Sequence, residues 1–294
     1  MSGPAQPRPA LSRGTVDRDA ATRDDDAALA AAWERSRVLV VDQGTALVDG
    51  TDLVLVGPDE APEGDRLYLG RLDDVAYFAV AAALPRRLGA RALGLRDVGA
   101  ELGDRDAGLL VHAVGLANWH ALHPRCPRCG APTASTRGGS VRVCPEDGSS
   151  HFPRTDPAVI VLITDGADRA VLGRQAVWPP RRYSTLAGFV EPGESAEQAV
   201  VREVAEEAGI AVREVVYRGS QPWPFPASLM IGYRAVCDAD AEPAPRDGEL
   251  EDARWFTREQ LRVAGGWAGG DGPVLLPPPV SIAHRLIGDW VSEA

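Results

Sequence analysis

Between Gly188 and Ile210 the chain reads GFVEPGESAEQAVVREVAEEAGI. Five of its charged side chains, Glu194, Arg202, Glu203, Glu206 and Glu207, stand at spacings that can do chemistry. Glu203 and Glu207 are four residues apart, so a helix puts them on one face, one turn from each other, with Glu206 flanking the same stripe. Carboxylates crowded in this way repel one another unless a cation neutralises them, and hard Mg²⁺ or Mn²⁺ prefers such oxygen ligands. Held against a diphosphate, such an ion polarises phosphorus–oxygen bonds and activates water. Arg202 is placed to pair with a carboxylate such as Glu194 and so orient the ligands. A solvated acidic helix is the plain alternative. The positions Gly188, Glu194, Arg202, Glu203, Val204, Glu206, Glu207, Gly209 and Ile210 together weigh against it, because such a helix needs neither the glycines nor the arginine.

The surrounding elements must position these groups. Ser195 suits an N-cap, Glu197 falls in the first turn, and Gly209 suits a left-handed stop, which predicts a helix opening at Ser195. Before it, AVIVLIT (Ala158 to Thr164) and AVLGRQ read as a hairpin around a turn at Asp165–Asp168, and VREVVYRGSQ and SLMIGYRAVC read as strands after it. WFTREQLRVA and SIAHRLIGDWVSEA read as helices. Further upstream, RVLVVDQGTALV, TDLVLVG, LYLGRL and AYFAVAA are strand-like, and Asp106 to His123 has helical periodicity. The pattern predicts a disordered arm at 1–30, an α+β domain at 31–125, a cysteine-bearing insert at 126–152 and a second domain at 153–294.

Bulk properties set limits. The chain has 294 residues, 45% of them hydrophobic, as expected of a globular protein. It contains no Lys, so lysine Schiff-base chemistry is excluded. A net charge of −11 argues against a broad nucleic-acid footprint. No apolar run is long enough for a membrane span and no signal-peptide core is visible, so a cytoplasmic location is expected. His112, His120, His123 and His284 have no ligand spacing and read as packing or surface groups.

Cys126 and Cys129 in CPRCG, with Cys144 in CPEDG, read as a zinc ribbon in which Asp147 takes the fourth place and His151 is a nearby substitute. Zinc on three cysteines plus Asp147 or His151, a ribbon that has lost its metal, and a redox dithiol all stay open. Arg125, Arg128, Arg137, Arg142 and Arg154 surround the insert and leave a nucleic-acid-binding role open too. Cys237 reads as a buried core thiol.

A second motif, SQPWPFPAS, spans Ser220 to Ser228. Three prolines stiffen the backbone around Trp223 and Phe225 and keep it out of a sheet interior, so it reads as a rigid wall. With the Gly188–Ile210 pattern and the Cys insert, it makes the chain resemble the Nudix superfamily and, within it, the NADH pyrophosphatase branch, over about Cys126 to Trp290. The resemblance implies an α/β/α sandwich in the C-terminal domain and hydrolysis of the pyrophosphate of NADH or NAD⁺ to AMP and a nicotinamide mononucleotide. It also implies possible removal of NAD caps from RNA 5′ ends, and a homodimer with shared sites. Carried over by position, it implies Mg²⁺ or Mn²⁺ on the Ala187 carbonyl, Glu203, Glu207 and Glu249, with Glu206 a further ligand or the water-activating base. It implies substrate contacts at Phe152, Phe189, Gln221, Pro222, Trp223, Pro224, Phe225, Pro226, Ala227, Ser228 and Ala283. Phe152 stands where the family usually has Tyr. A hydrolase of ADP-ribose or dinucleoside polyphosphates, and a nucleotide sensor that does not cleave, are the rivals.

Overall fold

Two aliphatic runs, Val38–Val41 and Val159–Ile163, form the centres of two sheets in the computed structural model, which describes residues 8–246 and 248–293. Contacts divide the chain into one unit of residues 11–155 with 222–227, and another of residues 8–10, 156–221 and 228–293.

In the first unit, helices α1 (Ala20–Arg23) and α2 (Asp26–Trp33) precede strands β1 (Arg37–Asp42), β2 (Thr45–Asp49), β3 (Asp52–Leu53), β4 (Leu55–Val56), β5 (Arg66–Leu72), β6 (Val75–Ala81) and β7 (Arg91–Gly94). Helices α3 (Leu95–Val98) and α4 (Asp104–Leu122) come next. Strands β7, β2, β1, β6 and β5 pair in succession; β1 runs parallel to β6, and β3 and β4 pair antiparallel with β2 and β1. The disorder expected over 1–30 does not hold for residues 8–30. Asp25 caps α2 by accepting from the amides of Ala27 and Ala28, alanines favour the helix, and Trp33 anchors its end in a cluster with Val38, Val40 and Phe78. The remaining residues of that expectation, 1–7, lie outside the described residues.

A small three-stranded sheet, β8 (Ala134–Thr136), β9 (Val141–Val143) and β10 (Ser150–His151), carries the cysteine turns. Arg142, one of the arginines left open for nucleic acid, is buried: it bonds the Thr133 hydroxyl and carbonyl and meets His120 Nδ1. His112 Nδ1 lies 3.3 Å from the Leu69 carbonyl and His284 Nδ1 lies 2.8 Å from that of Pro277, which are packing roles.

The second unit holds β11 (Asp156–Thr164), β12 (Arg169–Arg174), β13 (Leu186–Phe189), α5 (Ala196–Ala208), β14 (Val212–Trp223), β15 (Ser228–Cys237), β16 (Asp252–Thr257), α6 (Arg258–Arg262), the short pair β17 (Gly265–Gly266) and β18 (Leu275–Leu276), and α7 (Ile282–Ser292). Strand alternation sorts the core. Val159, Val161 and Ile163 pack with Val200 and Val204 of α5, while Ile160 and Leu162 pack with Leu286, Ile287 and Trp290 of α7. The result is an α/β/α sandwich. Its strand order is β16-β12-β11-β15-β14, with β11 parallel to β15 and β13 antiparallel to β11. In strand order this repeats the first sheet. The helix expected over WFTREQLRVA shrinks to five residues because Asp252–Thr257 pairs with β12, sending Trp255 and Phe256 to opposite faces. Cys237 is buried in the core. Among the described residues no helix is long and apolar enough to cross a membrane.

Candidate active site

Helix α5 begins where the sequence asks it to. Ser195 Oγ accepts from the Gln198 amide, and the Gln198 side chain reaches back to the Ser195 amide, which closes a capping box. Gly209 ends the helix at φ 69°, a conformation that costs glycine little. Ala199, Val200, Val204 and Ala208 face the sheet, and this fixes where the glutamates emerge.

Arg202 is the hub of the charged cluster. Its guanidinium donates to both oxygens of Glu194 (2.5 and 3.1 Å), to Glu206 Oε2 (3.0 Å) and to the Phe189 carbonyl (2.8 Å), and lies 2.9 Å from Glu203 Oε1. Glu194 also accepts from the Glu191 amide at 2.8 Å, so the loop before α5 folds around its own carboxylate. These hydrogen bonds from Arg202 and Glu191 hold Glu194 below the usual carboxylate range. Glu203 is different. Burial raises its pKa; Arg202 pulls against that shift, and the nearby charges of Glu206 and Glu249 reinforce it.

The Glu203 carboxylate rests on the backbone of β13. A Cβ at Gly188 would lie 1.9 Å from Glu203 Cδ and about as close to both its oxygens, so glycine is the residue that leaves room for this approach. Ala187, whose carbonyl was expected as a ligand, is the preceding residue and pairs with Ile160 of β11. Glu207 is 4% exposed, one turn below Glu203, whereas Glu206 is exposed. The structure thus gathers Glu194, Arg202, Glu203 and Glu206 by direct contact on the edge of β13, with Glu249 close enough to influence Glu203. A set of carboxylate oxygens of this kind, with one member half-buried and opposed in ionising by its burial, fits a hard divalent cation.

The aromatic segment, expected as a rigid wall, is held by α4. Residues 222–227 belong to the first unit, where Asn118 Nδ2 of α4 donates to the carbonyls of Pro224 (3.0 Å) and Pro226 (3.3 Å). Trp223 and Phe225 meet edge to face at 4.9 Å, and the Arg96 guanidinium lies 4.4 Å from the Phe225 ring. Neither Asn118 nor Arg96 carries a signal in the sequence, since each is an ordinary polar residue on a helix. Pro222 sits in the edge strand β14, where a missing N–H is tolerated, and Pro224 is buried. Pro226 is exposed and Ala227 half-buried, and Ser228 opens β15 opposite Asp156. Two of the residues expected to line a substrate are buried. Gln221 is 0% exposed and donates to the Val280 carbonyl, because a buried amide needs an internal partner. Ala283 packs in the core under α7. Phe189, at the end of β13, and Phe152, just after β10, are 59% and 65% exposed.

The two cysteine turns have the same backbone. The Gly130 amide donates to the Cys126 carbonyl and the Gly148 amide to that of Cys144, each glycine left-handed at φ 77° and 70°. Asp147 therefore occupies in CPEDG the place that Cys129 fills in CPRCG. One ligand atom from each of Cys126, Cys129, Cys144 and Asp147 lies within 4.8 Å of the others, a spacing that fits tetrahedral zinc. Ser149 holds Asp147 Oδ1 through its amide and hydroxyl, and Oδ2 faces Cys126 Sγ at 3.7 Å. His151 Nε2 meets the Ser149 hydroxyl at 3.1 Å, outside the tetrad.

Three family models match in succession: a NADH pyrophosphatase-like rudimentary NUDIX domain over residues 26–119, a NADH pyrophosphatase zinc ribbon domain over 121–152, and a NUDIX domain over 154–276. The first was not legible from residues, because no catalytic motif remains there. The NAD-capped RNA hydrolase NudC of Mycobacterium bovis is 43% identical over 97% of this chain and 95% of its own length. The protein of the same name from Mycobacterium tuberculosis is also 43% identical with the same coverage. The human mitochondrial NAD(P)H pyrophosphatase NUDT13 is 39% identical over 82% of this chain and 72% of its own length.

Proposed function

The chain belongs to the NADH pyrophosphatase family of Nudix hydrolases, and on that premise we propose that it hydrolyses the pyrophosphate bond of NADH or NAD⁺ and removes NAD caps from RNA 5′ ends. The observation that carries this reading is the Glu203 carboxylate seated on Gly188 and tied through Arg202 to Glu194 and Glu206. Similarity to curated relatives that act on NAD-capped RNA and NAD(P)H supports the substrate.

In this reading Glu203, Glu207, Glu249 and the Ala187 carbonyl would hold Mg²⁺ or Mn²⁺. When bound, the ion supplies Lewis-acid polarisation of the diphosphate and lowers the pKa of its water. Glu206, the exposed member, is a further ligand or accepts the proton of the attacking water. Arg202 keeps Glu203 and Glu206 aimed by tying them to Glu194 and to the Phe189 carbonyl. Phe189, exposed at the end of β13, offers an apolar face to the dinucleotide, and the family resemblance carries the same role to Phe152, Trp223 and Phe225. Cys126, Cys129, Cys144 and Asp147 would hold a structural zinc, with Ser149 fixing the aspartate. We also propose a homodimer, on the strength of the family resemblance alone.

The test is to incubate the protein with NADH and Mg²⁺ or Mn²⁺ and chromatograph the products. AMP and reduced nicotinamide mononucleotide are expected, and Glu207→Gln is expected to abolish them. A wild-type protein that binds NADH and leaves it intact would make it a sensor. Faster cleavage of ADP-ribose than of NADH would shift the substrate class. Size-exclusion chromatography with light scattering reads the dimer.

A further inference from the structure

Two loops of the second unit place tryptophan and arginine side chains together at a surface that the proposed hydrolysis does not use. The loop from β12 to β13 carries Val177, Trp178, Arg181 and Arg182, and the loop from β17 to β18 carries Trp267. Trp178 and Trp267 meet edge to face, with centroids 5.2 Å apart. The Arg182 guanidinium lies 5.1 Å from the Trp267 ring centre. The loops are tied to each other by backbone: the Tyr183 amide donates to the Leu275 carbonyl, the Leu275 amide to the Arg181 carbonyl, and Arg181 Nη1 to the Gly272 carbonyl at 2.8 Å. Arg174 closes the first loop onto the Trp178 carbonyl at 2.6 Å.

The composition of this surface is costly without a ligand. Val177 is 84% exposed beside two half-buried indoles. Arg181 adopts φ 69°, a left-handed conformation that a long side chain rarely takes. Arg182 Nε is buried and has no hydrogen-bond partner among the described residues. In a chain of net charge −11, residues 175–185 and 264–274 hold Arg181 and Arg182 against Asp271 alone, a local charge of +1. Indole faces beside guanidinium planes are what unstacked nucleobases and their phosphates bind, with stacking tolerant of sequence.

The position adds a direction. Arg182 is five residues from Ala187, so its backbone lies at most about 18 Å from the β13 edge on which Glu203 rests. That is within reach of the first nucleotides of a strand whose 5′ pyrophosphate occupies that edge. We propose that the Trp178–Trp267–Arg182 platform binds the single-stranded RNA adjoining an NAD cap, stacking a base and pairing its phosphate. This rests on the reading that the chain removes such caps.

The experiment measures kcat/KM on an NAD-capped RNA and on NADH, in parallel, for wild type, Trp178→Ala, Trp267→Ala and Trp178→Phe. Each alanine variant is expected to lose about tenfold on capped RNA, chiefly through KM, the magnitude of one stacked base. NADH turnover should stay within about twofold of wild type, well short of that loss, and Trp178→Phe should keep most of the RNA activity because it keeps a ring face. Equal loss on both substrates, or no loss on either, overturns the platform. A wild-type protein active on NADH and inert on capped RNA also overturns it. A wild-type protein inert on both defeats the functional reading instead; the platform is then read by anisotropy of labelled NAD-capped RNA, where unchanged affinity in both alanine variants overturns it. If the alanine variants melt early, Arg182→Gln, which removes the charge that pairs the phosphate and keeps the side chain's bulk, reads the same contrast.

Discussion

The two sheets of this chain share one strand order, β7-β2-β1-β6-β5 and β16-β12-β11-β15-β14, each with a central parallel pair and a short strand added antiparallel to its middle. They differ in the segment that leaves that short strand. After β13 the chain builds the thirteen-residue helix α5 with its glutamates; after β4 it runs through GPDEAPEGD, Gly57 to Asp65, and enters β5 without a helix. Pro58 and Pro62 withhold amide donors and Gly57 and Gly64 raise the entropy cost of a helix, so four acidic residues there never share a helix face. The comparison separates fold from chemistry: the sheet survives without the helix, and the carboxylate cluster does not.

The strongest way to break that comparison is to remove the chemistry and watch the fold. Glu203→Gln or Glu207→Gln should lower kcat on NADH by about 10²- to 10⁴-fold, the range of a lost metal ligand or base. Burial opposes charge at Glu203, so the metal-free Glu203→Gln protein should melt no lower than wild type. A collapse of the melting temperature would mean that the carboxylates belong to the fold and that the two sheets are less alike than their strand order says.

Why the second unit was legible in the sequence, and the first only in part, has its reason in the same contrast. Helix α5 announces itself because Ser195, Gly209 and the i,i+4 glutamates are local signals, each read within one turn. The kinship of β1–β7 with β11–β16 lies in pairings between strands far apart in sequence, which no local pattern records. The same limit hid Asn118 and Arg96, which act on a segment more than a hundred residues away. It also hid the burial of Gln221 and Ala283, which is decided by Val280 and by the packing of α7. The short helices at 20–33 were missed for the opposite reason: composition outweighed the capping aspartates Asp19 and Asp25.

A sharper probe of α5 acts from the strand beneath it. Gly188→Ala puts a methyl group into the Glu203 carboxylate and should cost about 1–3 kcal/mol of stability, as overpacking does, together with most of the activity. Urea denaturation and NADH turnover on one preparation check both halves. Retention of full activity would show that Glu203 has another seat.

The cysteine turns offer a control outside both sheets. Asp147→Ala should weaken zinc retention against a chelator by at least the roughly 10- to 100-fold that outer-shell partners are worth, and Asp147→Cys should strengthen it. Metal content by atomic absorption after dialysis decides this. A zinc content indifferent to both substitutions removes Asp147 from the site.

The smallest effect compares one cap in each unit. Ser195→Ala and Asp25→Ala each remove a side-chain acceptor at a helix N-terminus and should each cost about 1 kcal/mol. Their consequences for catalysis should differ. The first turn of α5 adjoins the loop in which Glu194 is gripped by the Glu191 amide and Arg202, so fraying at Ser195 loosens the partner that orients Glu203 and Glu206. Ser195→Ala should therefore lower NADH turnover severalfold while Asp25→Ala leaves it unchanged. Equal turnover in the two variants would place the control of Arg202 in the helix body, on its contacts with the Phe189 carbonyl and Glu206, and not in the cap.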